Sequence, residues 1–445
     1  MTVLTRTGLI LESPTPEIKK ELTVRPLVNN EYGFPPPPFK VYRTAKSGIC
    51  VPRFYGTGTI EEPTQDKRPA PTRTNIKFTG KLRDATHQNE AHTAAIKAGH
   101  GVLSLPCGYG KTTVSLAIAC TLGYRTMIVV HKQFLADQWR ERIKQFCPGA
   151  TIGVVQQNKK EVDCDFVIAM LQSLSLKEYS FGDFDSIGTV IVDEAHHICA
   201  KVFSQSLFKM CPRHIFGLSA TPIRKDGLSK VLHWFMGPTF FAVERENQGQ
   251  VEVFSVQYEC PMFRNPPPCT RNGQLSLVNM ITELVEHRDR NKMLVNLVKK
   301  ASSGTRQLLV LSDRRQHCEF LHKCFPTSSG LYMGGMKEAD LEASSKKKII
   351  FATFSQAHEG LDIPTLDTVI LATPKSDIQQ SIGRVMRETP GKNNNPHIYD
   401  IVDQWSILFA MYKKRLRVYK QGGFRIDAVE DKEEVNPFQG KCLFL

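Results

Sequence analysis

The chain has 445 residues, 41% of them apolar and 23% charged, with a formal net charge of +14. That length exceeds one compact core and fits two or three domains, and the composition excludes disordered, fibrous and collagen-like chains. Twelve cysteines without a C-x-x-C pair suit a reducing compartment, no apolar run reaches membrane-spanning length and no leader-like segment opens the chain, so a soluble, intracellular protein with a polyanionic partner is expected.

Residues 1–80 read as an accessory front module. Four prolines stand at Pro35–Pro38, and Val41–Tyr42 and Ile49–Tyr55 read as short strands between turns. Twelve Lys and Arg against seven Asp and Glu, interleaved with Tyr32, Phe34, Phe39, Tyr42, Phe54 and Tyr55, leave two readings open. One is a nucleic-acid surface; the other is a small β-rich domain whose aromatics form its core. Thr57–Thr74 reads as a linker.

From Lys81 strands alternate with helices. Helices are expected at Asn89–Ala98, Thr112–Leu122 and Gln133–Phe146, and strands at Val102–Leu105, Thr126–Val130, Thr151–Val155, Phe166–Met170, Thr189–Val192 and His214–Leu218. This is an α/β pattern whose parallel sheet places its ligand site at the strand C-terminal ends. The first such domain spans 81–245, and a second, 246–425, repeats the rhythm. It opens on the strand Val251–Tyr258, continues through the loop Asn265–Gln274 and a long helix Leu275–Ala301, then strand Gln307–Leu311 and helix Arg315–Phe325. Strands Lys348–Ala352 and Thr368–Ala372 and helices Ile378–Met386 and Gln404–Gln421 come next, with a loose tail from Phe424 that includes 426–445. His317, Cys318, His322 and Cys324 share one helix, where all four cannot face one ion; a packed face is expected there and no structural zinc.

Leu105-Pro-Cys-Gly-Tyr-Gly-Lys-Thr-Thr113 joins a buried strand to a helix. Gly108 and Gly110 let backbone N–H groups converge on phosphates at a helix N-terminus, so Pro106, Cys107, Gly108, Tyr109, Gly110, Lys111, Thr112 and Thr113 form a cradle. Lys111 would reach β/γ-phosphates and Thr112 a Mg²⁺ ion; the strict pattern has Gly where this chain has Leu105. Asp193 and Glu194 end a buried strand on the same sheet edge: Asp193 suits the metal, through water, and Glu194 the base that activates the attacking water. His197 reads as a polar neighbour without a role. Ser219 and Thr221 end another strand, where short hydroxyls can pass on the state of the γ-phosphate. In the second domain Arg384 and Arg387, on the helix that also carries Gln380, share one face, which either meets a transferring phosphoryl group and neutralises its charge or is simply solvated.

Cys107-Gly-Tyr-Gly-Lys-Thr112, Asp193-Glu-Ala-His196, Ser219-Ala-Thr221, Glu359-Gly-Leu-Asp362 and Gln380-x-x-Gly-Arg-x-x-Arg387 stand in the order of superfamily 2 helicases of the DEAH-box type, which the chain resembles from Lys81 to Gln421. Ser219-Ala-Thr-Pro-x-Arg-Lys-Asp-Gly227 is similar to the XPB-related branch, especially the transcript-release helicases of poxviruses and other large DNA viruses. The resemblance implies two tandem RecA-like domains with ATP in the cleft between them and a nucleic-acid strand across their tops. It gives Gln88 an adenine-reading role, with His87 where the family has Tyr, and assigns His131, Lys132, Gln138-Trp139 and Gln172 to gripping the strand. It places Thr353, Gly360 and Asp362 between ATP and strand, with Gly360 and Asp362 on the nucleotide, and Lys225 near a duplex junction.

The expected activity is an ATP-dependent translocase or helicase using ATP and Mg²⁺, and the resemblance implies 3′→5′ movement with DNA favoured over RNA. A viral origin is implied by the resemblance alone, with the host cytoplasm, nucleus or virion as its place and transcription or repair machinery as partner. An RNA remodeller, a translocase that does not unwind and a nucleic-acid-binding scaffold stay open as alternatives. The basic run Lys413, Lys414, Arg415, Arg417 and Lys420, with Tyr412 and Tyr419, extends the track or is a solvated helix face.

Overall fold

Runs of aliphatic and β-branched residues set the sheets, because both faces of a parallel strand must be buried. A computed structural model describes residues 2–27, 36–57, 62–106, 108–220, 227–243, 250–359, 361, 363–385 and 394–427. The chain divides into two units, Met1–Glu244 and Arg245–Leu445.

The first unit opens with strands β1 (Thr2–Thr5) and β2 (Gly8–Glu12), helix α1 (Pro16–Glu21), and strands β3 (Thr23–Val24), β4 (Phe39–Lys40), β5 (Arg43–Ala45), β6 (Gly48–Val51) and β7 (Gln65–Asp66). Five of these form a mixed sheet in the order β5-β6-β2-β1-β7. The strand expected to reach Tyr55 stops at Val51, because Pro52 has no N–H for the ladder and Pro52–Tyr55 closes a turn instead. Among the described front aromatics, Phe39 and Tyr55 are buried. Tyr55 packs edge-on against Trp234, and Phe54 stacks on His100 with ring centroids 4.3 Å apart. Phe54 and Tyr55 therefore pack the front module onto the α/β part of the same unit, as core aromatics do.

Next come helix α2 (Gln88–Ala98), strand β8 (His100–Ser104), helix α3 (Lys111–Leu122), strand β9 (Thr126–Val130) and helix α4 (Gln133–Phe146). Strands β10 (Ile152–Gln156), β11 (Lys159–Lys160) and β12 (Phe166–Met170), helix α5 (Leu171–Leu176), strands β13 (Thr189–Val192) and β14 (His214–Ser219), helix α6 (Ser229–Met236) and strand β15 (Thr239–Ala242) complete the unit. The eight-stranded sheet has the order β11-β10-β12-β9-β13-β14-β8-β15. Its strands run parallel except for the β10–β11 hairpin. The ends of β8, β9, β12, β13 and β14 thus share one edge, and the order places β13 and β14 between β8 and β9.

The second unit begins with β16 (Glu252–Tyr258) and helices α7 (Leu277–Glu286) and α8 (Arg288–Ala301). Sequence periodicity makes these one helix. The break falls at His287, which is extended (φ −69°, ψ 114°) and caps α8 by accepting a hydrogen bond from Arg290 N on its ring. Then come β17 (Leu308–Ser312), α9 (Arg315–Lys323), β18 (Ser329–Tyr332), α10 (Glu338–Ser345), β19 (Ile349–Thr353), α11 (Phe354–Glu359), β20 (Thr368–Leu371), α12 (Gln379–Val385), β21 (His397–Asp403), α13 (Ser406–Gln421) and β22 (Arg425–Asp427). The seven strands are all parallel, in the order β18-β19-β17-β20-β21-β16-β22. The expected tail therefore starts late: β22 pairs with β16, and residues 428–445 lie outside the described residues.

Strand β21 escapes a hydropathy reading because it carries Asp400 and Asp403. Both are buried. Asp403 accepts from Arg290 Nε and Nη2 at 2.7 and 2.8 Å, and Asp400 accepts from Arg415 and from Tyr419 Oη. That pairing also corrects the basic run, since Arg415 and Tyr419 point into the core and only part of α13 faces solvent. His317 shares hydrogen bonds with Ser312 Oγ (2.9 Å) and Asn291 Oδ1 (3.0 Å), and burial pushes its imidazole down to about 3. His322 bonds Ser329 Oγ instead, so the two histidines serve packing on different sides.

Candidate functional site

The cradle occupies the turn between β8 and α3. Gly108 and Gly110 both take positive φ (89° and 80°), the left-handed region that favours glycine. A Cβ at Gly110 would lie 2.5 Å from Gln88 Nε2, so the loop closes against that buried amide. Gln88 spans the gap with two hydrogen bonds: its Oε1 accepts from Arg83 N at 3.0 Å and its Nε2 donates to the Tyr109 carbonyl at 2.9 Å. His87, itself left-handed (φ 54°), turns the chain so that Gln88 points inward. Lys111 Nζ donates to the Leu105 carbonyl at 3.0 Å, which folds its ammonium back over the cradle. Thr112 and Thr113 come next, half-buried, in the first turn of α3. Pro106 lies within the turn, and Cys107 lies outside the described residues.

Asp193 succeeds β13, and its backbone N–H donates to the Val129 carbonyl, which fixes the residue against β9. One carboxylate oxygen accepts from Trp139 Nε1 at 2.9 Å and the other from Glu194 N at 3.0 Å. Desolvation pushes the Asp193 carboxyl above the usual range, the neighbouring Glu194 charge adds to this, and the indole donor and Lys111 pull it back. Glu194 holds φ +46°, a strained backbone conformation for a residue other than glycine. Its Oε2 lies 3.5 Å from His196 Nδ1. A cradle with its lysine, a carboxylate held on the next-but-one strand and a second carboxylate beside it can bind a nucleoside triphosphate and activate water.

A family model described as the res subunit of type III restriction enzymes matches residues 81–224. A protein of Acanthamoeba polyphaga mimivirus, provisionally designated ATP-dependent RNA helicase L396, is 34% identical over 438 residues, covering 93% of this chain and 83% of its own. The chain belongs to the superfamily 2 helicases. A helicase of Invertebrate iridescent virus 6, also provisionally designated (161L), is 31% identical over 81% of this chain and 85% of its own length. The crystal structure of T4 UvsW aligns with 96% of this chain and 98% of its own at a TM-score of 0.38 and 16% identity. By its family the protein is an ATP-dependent helicase, a nucleic-acid ATPase. Among the described residues no helix is long and apolar enough to cross a membrane.

In the helicase the residues assigned to strand gripping fall at the edge that holds the cradle. His131 and Lys132 succeed β9, and burial lowers both side chains' pKa. Gln172, exposed at the start of α5, donates through Nε2 to the His131 carbonyl at 2.6 Å, so the segments after β9 and β12 are tied together. Gln138 is half-buried on α4. Trp139, its neighbour, is a correction: it is buried, and its indole serves Asp193 rather than a strand. The apolar spacing of Leu135, Ala136, Trp139 and Ile143 marks that inner face in the sequence. The β10–β11 hairpin adds a support that the hydropathy pattern does not signal. Its Gln156 donates to Gln133 Oε1 and the adjoining Gln157 N–H to Ser173 Oγ, bracing both segments from the side.

Ser219 is the last residue of β14 and is fully buried. In the second unit Thr353 ends β19, with its hydroxyl 3.2 Å from Ser355 Oγ. Gln380 and Arg384 lie on α12, whose backbone alone is described at these two positions. Thr221, Lys225, Gly360, Asp362 and Arg387 lie outside the described residues.

Proposed function

We propose that this helicase is a DNA-directed translocase with 3′→5′ polarity that serves transcript release or repair in a large DNA virus. The observation that carries the reading is the shared sheet edge: Lys111, Asp193 and Glu194 stand beside His131, Lys132 and Gln172 on neighbouring strands. Phosphate chemistry and strand contact are then close enough to be coupled. The XPB-related motif order supports DNA. RNA is the second reading, favoured by the designation of the mimivirus relative as an RNA helicase.

In this mechanism Gly108 to Thr113 hold the triphosphate and Lys111 leaves the Leu105 carbonyl for the β/γ-phosphates. A divalent cation fits beside them, because Asp193 carries a desolvated carboxylate whose cost positive charge offsets. Thr112 and Asp193 would hold Mg²⁺, which when bound neutralises phosphate charge. Glu194 orients and deprotonates the attacking water. Arg384 and Arg387 are assigned to the charge that develops on the transferred group, and Ser219 and Thr221 to reporting it.

Lys111→Ala is expected to weaken ATP binding by about tenfold to a hundredfold, the loss of one charge-assisted contact. Calorimetric titration reads this directly, and parental affinity would place the cradle elsewhere. The function itself is tested by ATP hydrolysis without polynucleotide and with single-stranded DNA, duplex DNA or single-stranded RNA. DNA stimulation is expected, falling by more than about tenfold between roughly 50 and 200 mM salt because phosphate contacts release counterions. Stimulation by RNA alone moves the assignment to RNA, and none under any condition rejects a coupled motor.

A further inference from the structure

Nothing in the sequence assigns His197 a role, yet it is the middle ring of a column. His131 is buried, and its ring centroid lies 4.0 Å from that of His197. His197 lies 4.4 Å from His196, whose Nδ1 is 3.5 Å from Glu194 Oε2. The turn Ala195–Cys199 that carries both histidines is pinned from below by buried Ala195, Ile198 and Cys199, and His197 N donates to the Glu194 carbonyl. The top of the column is pinned by Gln172, which holds the His131 carbonyl, and Lys132 is the next residue along the chain.

We propose that His197 is a positioning residue through which nucleic acid at Lys132 and Gln172 sets the Glu194 carboxylate for hydrolysis. The inference rests on the reading of those residues as strand contacts. Three tilted rings in contact, His131 buried and His196 and His197 half-buried, cannot shift independently, because an overlap at any one of them is excluded by its neighbours. A phosphate backbone that draws Lys132 and Gln172 toward itself displaces His131 through the carbonyl that Gln172 holds. His197 and His196 move with it, and the carboxylate at the end of the column turns. Glu194 is suited to such control because its left-handed backbone is held by its surroundings rather than by its own preference. The column runs between two neighbouring strand ends, residue 131 after β9 and residue 194 after β13, and adds a side-chain path to the backbone pairing of those strands.

The test compares the parent with His197→Ala and His197→Phe, reading four quantities: ATP turnover alone, its stimulation by the polynucleotide that stimulates the parent, polynucleotide affinity and ATP affinity. His197→Ala is expected to keep both affinities and to lose about tenfold of the stimulation. His197→Phe keeps a ring in the column and is expected to restore most of it. An alanine variant stimulated like the parent overturns the proposal. So does one in which stimulated and unstimulated turnover fall together, which marks a structural residue, or one that loses polynucleotide affinity, which marks a contact. Should His197→Ala not fold, the phenylalanine variant decides alone: it must keep the parental stimulation, and a collapse of that ratio in a folded protein rejects the column. A parent that no polynucleotide stimulates rejects the strand-contact reading itself, and the inference with it, whereas a stimulated parent with a stimulated alanine variant rejects the inference only.

Discussion

Glu194→Gln is expected to bind ATP as the parent does and to hydrolyse it at least about a hundredfold more slowly, the range spanned by loss of a general base. The amide has the shape and reach of the carboxylate, so the backbone bond from residue 194 to Asp193 Oδ1 and the contact with His196 both have a partner of the same size. What disappears is the negative charge and basicity that let the carboxylate take the proton of water. Binding depends on the cradle and Lys111, which the substitution does not touch. Equilibrium binding of a nucleotide analogue together with steady-state phosphate release separates the two effects. Turnover within a few-fold of the parent would remove Glu194 from the role of base.

The largest effect on stability is expected at Asp403→Ala, about 3–5 kcal/mol in the second unit, the cost of leaving a buried charge without its partner. Arg290 is fully buried, and apart from Asp403 its guanidinium donates to the Ala372 carbonyl at 2.9 Å. Alanine leaves the cation with one neutral acceptor and no route to water. Removing both charges, Arg290→Met with Asp403→Leu, is expected to recover most of the loss, since an apolar pair of similar volume avoids the desolvation altogether. Trp405, buried two residues from Asp403, reports the transition during chemical denaturation. An unchanged midpoint in the alanine variant would mean that the ion pair carries no net stability.

The same residues explain how far the sequence could be read. Strands such as Thr126–Val130 and Phe166–Met170 are uninterrupted apolar runs, and their limits come from composition. His397–Asp403 carries two aspartates that break any apolar run, and it becomes a buried strand because Arg290 and Arg415 arrive from elsewhere in the chain to pair with them. The cradle and the acidic pair were legible because their chemistry is local, a matter of spacing along a few residues. The indole bond from Trp139 to Asp193 and the ring column from His131 to His196 were not, since each joins segments more than fifty residues apart through side chains that also suit a plain core. The helix break at His287 was hidden for a related reason: a histidine ring is an uncommon cap, and the apolar period runs through it.

The pairing of β16 with both β21 and β22 has a consequence for biosynthesis. The first strand of the second unit is made early, but its two neighbours are among the last described residues to be translated. Until Asp427 has left the ribosome, that strand lacks its complete ladder, and its apolar residues Val253 and Val256 have no finished sheet to enter. The nascent second unit must therefore wait for its own end before β16 is paired on both sides, while the first unit already has all its strands. A ribosome that stops short of residue 397 releases a complete first sheet joined to one whose β16 has neither neighbour, a product prone to self-association rather than a shorter working helicase.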